Sequence, residues 1–177
     1  MDKQFNYEII DNYLPNNVSD EIENIMLKNT LPWFFINNKS ADKVLMQWDD
    51  IQNFQFSHMF YADYTILSNY YVNIVKPIID KLNPLSLIRV KGNLTTVTPN
   101  IIKYGWHTDV GDNYEHKTAI YYVNTNNGKT IFKNGLEVES VKNRIVIFDG
   151  WMEHTATSST DTKARCVLNL NYIERSK

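Results

Sequence analysis

Two periodicities divide this chain near Asn83-Pro84. Before that point apolar residues recur at helical spacing; after it they alternate with polar ones, as strands require. In the first half, Ile22, Ile25 and Met26 share a face, with Ser19 as a candidate N-cap and Asp20, Glu21 and Glu23 in the first turn. Leu67, Tyr70, Tyr71, Ile74, Val75 and Ile78 form a second stripe, which predicts a longer helix over about 62–82 that Pro77 kinks or restarts. Trp33-Phe34-Phe35 and Trp48 stand among polar residues and read as irregular or short extended structure. Beyond Pro84 the alternation predicts strands at Leu85–Lys91, Asn93–Thr98, Lys117–Asn124, Lys129–Lys133, Leu136–Val141, Arg144–Asp149 and Ala164–Ile173. Asn127-Gly128 and Asn134-Gly135 are two-residue turn sequences, and the second should close a hairpin. The pattern predicts an α+β chain of one domain, residues 1–177, with a mainly helical flank (1–83) and a strand core (84–177). Helices packed outside short antiparallel strands imply a β-sandwich or open barrel, whose mouth is a natural ligand site.

Composition narrows the function classes. A hydrophobic content of 43% with 21% charged residues is ordinary for a globular protein, and the 13% aromatic share, eleven Tyr included, suggests a ring-filled core or a ring-lined cavity. A net charge of −2 gives no bulk electrostatic case for nucleic-acid binding. The single cysteine, Cys166, excludes an internal disulfide and suits a reducing compartment; it reads as a small buried hydrophobe. The start MDKQFNYEII lacks the basic and apolar regions of a secretory signal, and no stretch approaches the roughly 20 apolar residues of a membrane span. A cytoplasmic protein without membrane partners is the expectation. Nothing in the sequence sets an oligomeric state.

The chemistry is carried by His107-Thr108-Asp109, His154 and Arg165. Residues i and i+2 of an extended segment point the same way, so His107 and Asp109 can reach one point in space. A distant imidazole, His154, just past the strand that ends at Asp149-Gly150, would complete a 2-His-1-carboxylate set. Such a set occupies one face of an octahedral ion and leaves positions open for substrate and dioxygen, as in non-haem Fe(II) oxygenases. Arg165, on the next strand, is a fixed cation for a carboxylate-bearing co-substrate.

With these residues in order, the stretch from Leu85 to Ile173 resembles the 2-oxoglutarate and Fe(II)-dependent dioxygenase superfamily, in its prolyl-4-hydroxylase-like branch, and small phage-encoded members look similar over nearly the whole length. Thr118-Ala-Ile-Tyr-Tyr-Val-Asn124 resembles a strand of the hypoxia-pathway prolyl hydroxylases whose second tyrosine, here Tyr122, bonds 2-oxoglutarate. Arg165-Cys-Val-Leu-Asn-Leu-Asn171 resembles the strand whose arginine clamps the distal carboxylate. Asn169 stands where an assisting threonine is found, and Asn171 where those enzymes carry a bulky aromatic. Asn127-Gly-Lys-Thr-Ile-Phe132 occupies the place of a G-G-x-x-x-F signature with one glycine replaced. The resemblance implies a double-stranded β-helix, a jelly roll flanked by N-terminal helices. It also implies Fe(II) on His107, Asp109 and His154, and 2-oxoglutarate held by Arg165, Tyr122 and Asn169. Dioxygen would be consumed with release of succinate and carbon dioxide, with ascorbate as a stimulant, and a C–H bond hydroxylated. Because Asp109 is not the Ala or Gly of related halogenases, hydroxylation is favoured over halogenation. A prolyl or other protein side chain leads as substrate; a small metabolite and a modified nucleobase are alternatives.

Several residues keep two readings. Tyr121 or Tyr122 can be the core residue of its pair. His116, in a polar segment from Gly111, is either part of a lid or plain loop, and His58, among Phe54, Phe56 and Phe60, is structural. Arg89, Lys91, Asn93 and Thr95 share a strand face that either lines the substrate side of the cavity or is solvated, and Trp106 and Trp151 are substrate walls or packing residues. Two rival functions stand beside the oxygenase. One is a non-enzymatic jelly-roll binding module; the other is a cupin-like Zn or Mn enzyme, for which only His58 and His116 are spare histidines.

Overall fold

The computed structural model describes residues 5–28, 30–37, 51–110 and 115–175. Strands β1 (Tyr7–Ile10), β2 (Phe34–Ile36), β3 (Gln55–Ala62), β4 (Thr65–Ile66), β5 (Ser86–Thr96), β6 (Lys117–Tyr122), β9 (Arg144–Asp149) and β11 (Ala164–Ile173) form an eight-stranded sheet ordered β1-β9-β6-β11-β5-β3-β2, with β4 on β3. Its pairings are antiparallel. A second antiparallel sheet is ordered β10-β7-β8, from β7 (Lys129–Phe132), β8 (Glu137–Glu139) and β10 (His154–Ala156). Isolated bridges Lys103↔Thr157 and His107↔His154 lay the chain before the first metal-candidate residue alongside β10. Helices α1 (Asn16–Leu27), α2 (Tyr71–Ile74) and α3 (Lys76–Leu82) complete the fold. It is the jelly roll with flanking helices that the family resemblance implied.

The large sheet is buried on both faces, because its central strands alternate between two clusters. On β11, Cys166, Leu168, Leu170 and Tyr172 join Ala119, Tyr121 and Ile145 against Ile22 and Met26 of α1 and Ile74 and Ile78 of α2 and α3. Val167 turns the other way, with Ile120, Tyr122, Val146 and Phe148, to meet Phe132, Val138 and Met152. Arg165, Asn169 and Asn171 occupy this same inner face. The polar residues of β11 are therefore directed between the two sheets.

The strand half followed its pattern closely, with β9 and β11 at their expected bounds and the Asn134-Gly135 hairpin closed between β7 and β8. Gly135 has φ +92, the left-handed backbone such a turn needs. The two strands expected at 85–98 are one, β5, running through Gly92. A side chain there would meet Met26, Phe60 and Trp33 at 3.2–3.3 Å, so the glycine admits helix and sheet to close approach. Asn127-Gly128 makes no hairpin; it carries the chain from β6 in one sheet to β7 in the other.

The first half differs more. The flank expected to be helical over 1–83 also holds four strands of the large sheet. The helix expected over 62–82 is instead the end of β3, a hairpin to β4 and two short helices. Asp63 and Tyr64 adopt φ of 49 and 59 to make the turn, and Pro77, lacking an N–H, stands at the start of α3. Ile74, Val75 and Ile78 are buried as that stripe required, but Leu67 is 55% exposed. Ser19 is not an N-cap. Pro15 takes that position, its carbonyl accepting from Val18 and Ser19, and Ser19 is buried inside α1. Asp20 and Glu23 instead pair with Lys142. Trp48 lies outside the described residues, whereas the Trp33 Nε1 donates to the Met26 carbonyl at 3.1 Å.

Candidate active site

Backbone pairing brings the two candidate histidines face to face. His107 and His154 exchange N–H···O bonds of 3.0 Å in both directions, and their rings lie 4.7 Å apart. Each Nδ1 donates to the carbonyl two residues upstream, that of Gly105 at 3.3 Å for His107 and that of Met152 at 3.0 Å for His154. A carbonyl only accepts, so this bond places the proton on Nδ1 and leaves the Nε2 lone pair available. The rings of Phe132 and Phe148 pack at 5.9 and 5.0 Å from that of His154. Asp109, in the bend after the His107 bridge, brings Oδ2 to 3.8 Å from His154 Nε2. One ligand atom from each of His107, Asp109 and His154 lies within 4.8 Å of the others.

The Asp109 side chain is 5% exposed. Burial pushes its pKa up, but His154, His107, Arg89 and a hydrogen bond from Asn169 outweigh that and hold it low. Asn169 Nδ2 donates to both carboxylate oxygens, at 3.2 and 3.4 Å, and Asn171 Nδ2 reaches Oδ2 at 3.5 Å. Arg89 Nη2 donates to the Asp109 carbonyl at 2.8 Å. Burial lowers the pKa of His107, and His154 beside it adds to the effect. An ionised carboxylate and a neutral imidazole are the forms that bind a cation. Among the described residues the buried His154 Nε2 has no hydrogen-bond partner, as a ligand atom aimed at an ion would not. The three side chains fit a divalent metal.

Arg165 is 3% exposed. Its Nε donates to Ser140 Oγ at 2.9 Å and its Nη2 to Thr130 Oγ1 at 3.1 Å, and both partners are neutral. Among the described residues no carboxylate is paired with it, and burial lowers its pKa. Tyr122, wholly buried, donates to the same Thr130 Oγ1 at 2.8 Å and sets its ring 5.7 Å from the guanidinium. An uncompensated buried cation is costly and calls for an anion. Arg165 lies four residues from Asn169 on the same face of β11, or about 13 Å at the rise of a strand. Val167, between them, gives that span an apolar floor with Ile120 and Val146.

The structure thus joins His107, Asp109 and His154 in one cluster, and Arg165 with Tyr122 in another. Of the tyrosine pair, Tyr121 points into the helical core and Tyr122 to the inner face. Asn169 bonds Asp109 rather than the guanidinium. Thr130 and Ser140 were not singled out in the sequence; their only trace was a polar position beside an apolar one in a short strand. Of the spare histidines, His58 is a clip: Nδ1 donates to the Pro32 carbonyl and Nε2 accepts from Ser68 Oγ, both at 2.7 Å. His116 is not exposed loop. It is buried, its carbonyl accepting from Gly150 N and its ring so close that a Cβ at Gly150 would fall 2.0 Å from Nε2. The four residues before Glu115 lie outside the described residues. Trp151 packs on Phe5, and Lys103 covers Trp106. The Cys166 thiol is buried, which pushes its pKa up and makes it inert. Among the described residues no helix is long and apolar enough to cross a membrane.

No protein-family model matches the chain, and no curated protein matches it. Solved structures do. A prolyl-4-hydroxylase from Pseudomonas putida is 15% identical over 98% of this chain and 95% of its own, with a TM-score of 0.54. A prolyl hydroxylase from Trichoplax adhaerens, in complex with a peptide fragment of the hypoxia inducible factor oxygen degradation domain, is 14% identical over 94% and 83%, with a TM-score of 0.60. The epimerase SnoN, in complex with Fe3+, alpha ketoglutarate and nogalamycin RO, is 10% identical over 95% and 78%, with a TM-score of 0.62. None of these three is described as phage-encoded. This chain has the fold of the 2OG–Fe(II) oxygenases, prolyl-4-hydroxylases among them.

Proposed function

We propose that the chain is a 2-oxoglutarate-dependent Fe(II) dioxygenase that hydroxylates a C–H bond, with residues 1–177 as one catalytic domain. His107, Asp109 and His154 hold the metal, and Arg165 receives the distal carboxylate of 2-oxoglutarate. The observation that carries the reading is the pairing of a three-ligand cluster with a buried arginine that, among the described residues, has no carboxylate partner. Iron with 2-oxoglutarate and dioxygen supplies the oxidising power, releasing succinate and carbon dioxide. The chain's own residues bind and orient. Gly105 and Met152 carbonyls fix both imidazoles, Asn169, Asn171 and Arg89 fix Asp109, and Thr130 and Ser140 hold the guanidinium in place. Tyr122 is wholly buried, so its pKa is raised and the phenol keeps its proton, which it donates to Thr130 Oγ1 beside Arg165. Phe132, Phe148 and Val167 keep water out. A prolyl or other amino-acid side chain leads as target, since two of the neighbours are prolyl hydroxylases.

Anaerobic titration of the apoprotein with Fe(II) and 2-oxoglutarate tests this without a substrate. A visible metal-to-ligand charge-transfer band is expected, and it should vanish in His107→Ala and in Asp109→Ala. A folded protein with Fe(II) present and no band would point to a binding module that shares only the fold.

A further inference from the structure

The polar row on the inner face of β5 is only partly used by this chemistry. Arg89, Lys91 and Asn93 stand in register with Asn171, Asn169 and Val167 of β11, and with Ala62, Met59 and Ser57 of β3. Arg89 is engaged with Asp109 and with Asn171 Oδ1, the latter at 3.2 Å. Lys91 is not. Its side chain is partly buried, and among the described residues its ammonium group meets no acceptor. Burial and the neighbouring Arg89 disfavour its charge, with Asp109 opposing them.

Two bare acceptors flank that cation. Asn169, opposite Lys91 on β11, turns Nδ2 to the Asp109 carboxylate, which fixes the amide and leaves its buried Oδ1 without a partner among the described residues. Asn93, two residues along the same face from Lys91, also has a buried Oδ1 that meets no partner among the described residues. Buried amide oxygens are seldom left so, and each one that is asks for a donor. A cation and two unsatisfied acceptors on one face, next to the metal-ligand carboxylate, specify a ligand with a negative group and N–H donors together.

We propose that Lys91, Asn93 and Asn169 form the substrate subsite beside His107, Asp109 and His154, and that it binds the head group of a free α-amino acid. Lys91 takes the carboxylate, and the two Oδ1 atoms take the protonated amine. This rests on the metal-centre reading for the chemistry that follows, and it names the carrier of the side chain to be hydroxylated. A residue inside a polypeptide has both groups tied up in neutral amides, which would leave Lys91 without a counter-charge. A phosphate monoester dianion, with no donor on its phosphoryl oxygens, would satisfy Lys91 but neither acceptor.

The test is saturation-transfer NMR on the metal-free protein, with mixtures of the common free L-amino acids and, separately, their N-acetyl amides. One or a few free amino acids should bind and their N-acetyl amides should not. Lys91→Met should weaken that binding about 10- to 150-fold, the worth of a hydrogen bond to a charged group. Lys91→Arg should restore part of it, which separates lost charge from a misfolded variant. Both variants should still form the Fe(II)–2-oxoglutarate band, because Arg165 is untouched. The proposal is overturned if no free amino acid binds, if the neutral amides bind equally well, or if Lys91→Met binds like the parent. Loss of 2-oxoglutarate affinity in Lys91→Met, with amino-acid binding intact, would also overturn it. Amino-acid binding in a protein that forms no band would uphold the subsite and sink the iron centre, so the two failures are distinguishable.

Discussion

Replacing Arg165 with methionine keeps most of the stem and deletes the guanidinium. Breaking a buried ion pair typically costs about 3–5 kcal/mol, chiefly because the surviving partner is left charged and alone. Among the described residues no such partner is stranded: the guanidinium bonds the neutral Ser140 Oγ and Thr130 Oγ1, and Thr130 still accepts from Tyr122 once it is gone. Two hydrogen bonds from a charged donor contribute about 1.5–3 kcal/mol each. Relief of the cation's desolvation, several kcal/mol in the other direction, offsets them. The ligand-free variant should therefore lie within about 1–2 kcal/mol of the parent. Binding of 2-oxoglutarate should lose about 2–5 kcal/mol, or roughly 30-fold to several thousand-fold in affinity. Thermal denaturation of the Fe(II) protein with and without 2-oxoglutarate reads both quantities. At 100 times the parent's Kd the co-substrate stabilises the parent by about 2.7 kcal/mol, or roughly 5–11 °C for a chain of this size, and should stabilise Arg165→Met by no more than about 0.9 kcal/mol. An undiminished shift in the variant would refute the carboxylate clamp. A ligand-free variant weakened by more than about 3 kcal/mol would refute the claim that the cation is uncompensated.

Gly128 abuts the stem of the same side chain: a Cβ there would fall 2.7 Å from Arg165 Cδ and 2.8 Å from the Ser158 carbonyl. Gly128→Ala should cost about 1–3 kcal/mol in urea denaturation and weaken 2-oxoglutarate binding; no change in either would discard this packing account. Asn169→Ala removes the amide that steadies Asp109 and should weaken Fe(II) binding about 10- to 100-fold, followed by anaerobic titration. Loss of 2-oxoglutarate affinity alone would instead assign Asn169 to Arg165. Asn143, at φ 62, accepts from Leu14 N at 2.8 Å and Tyr121 Oη at 3.1 Å and donates to the Leu14 carbonyl at 2.8 Å. Asn143→Ala should cost at least about 3 kcal/mol by denaturation, from the left-handed backbone and the orphaned Leu14 groups, and a neutral outcome would show that the N-terminal segment is not fastened there.

Strand alternation in 84–177 determined most of the jelly roll, because a period of two is a local property that tertiary contacts only reinforce. The H-x-D spacing and the later His154 and Arg165 were legible for the same reason: residue type and order are local. The stripe from Leu67 to Ile78 was misleading, because local periodicity does not show that Asp63 and Tyr64 turn through positive φ or that β3 pairs with β5. The eight residues of β3 are mostly apolar or buried on both faces, so they show no alternation to read. Only the tertiary structure set His107 opposite His154, gave Arg165 neutral partners, and turned Asn169 to Asp109 and away from the guanidinium. Those relations depend on cross-strand register and on which charges lack a counter-charge. Both are properties of segments distant in the chain, and folding alone brings them together.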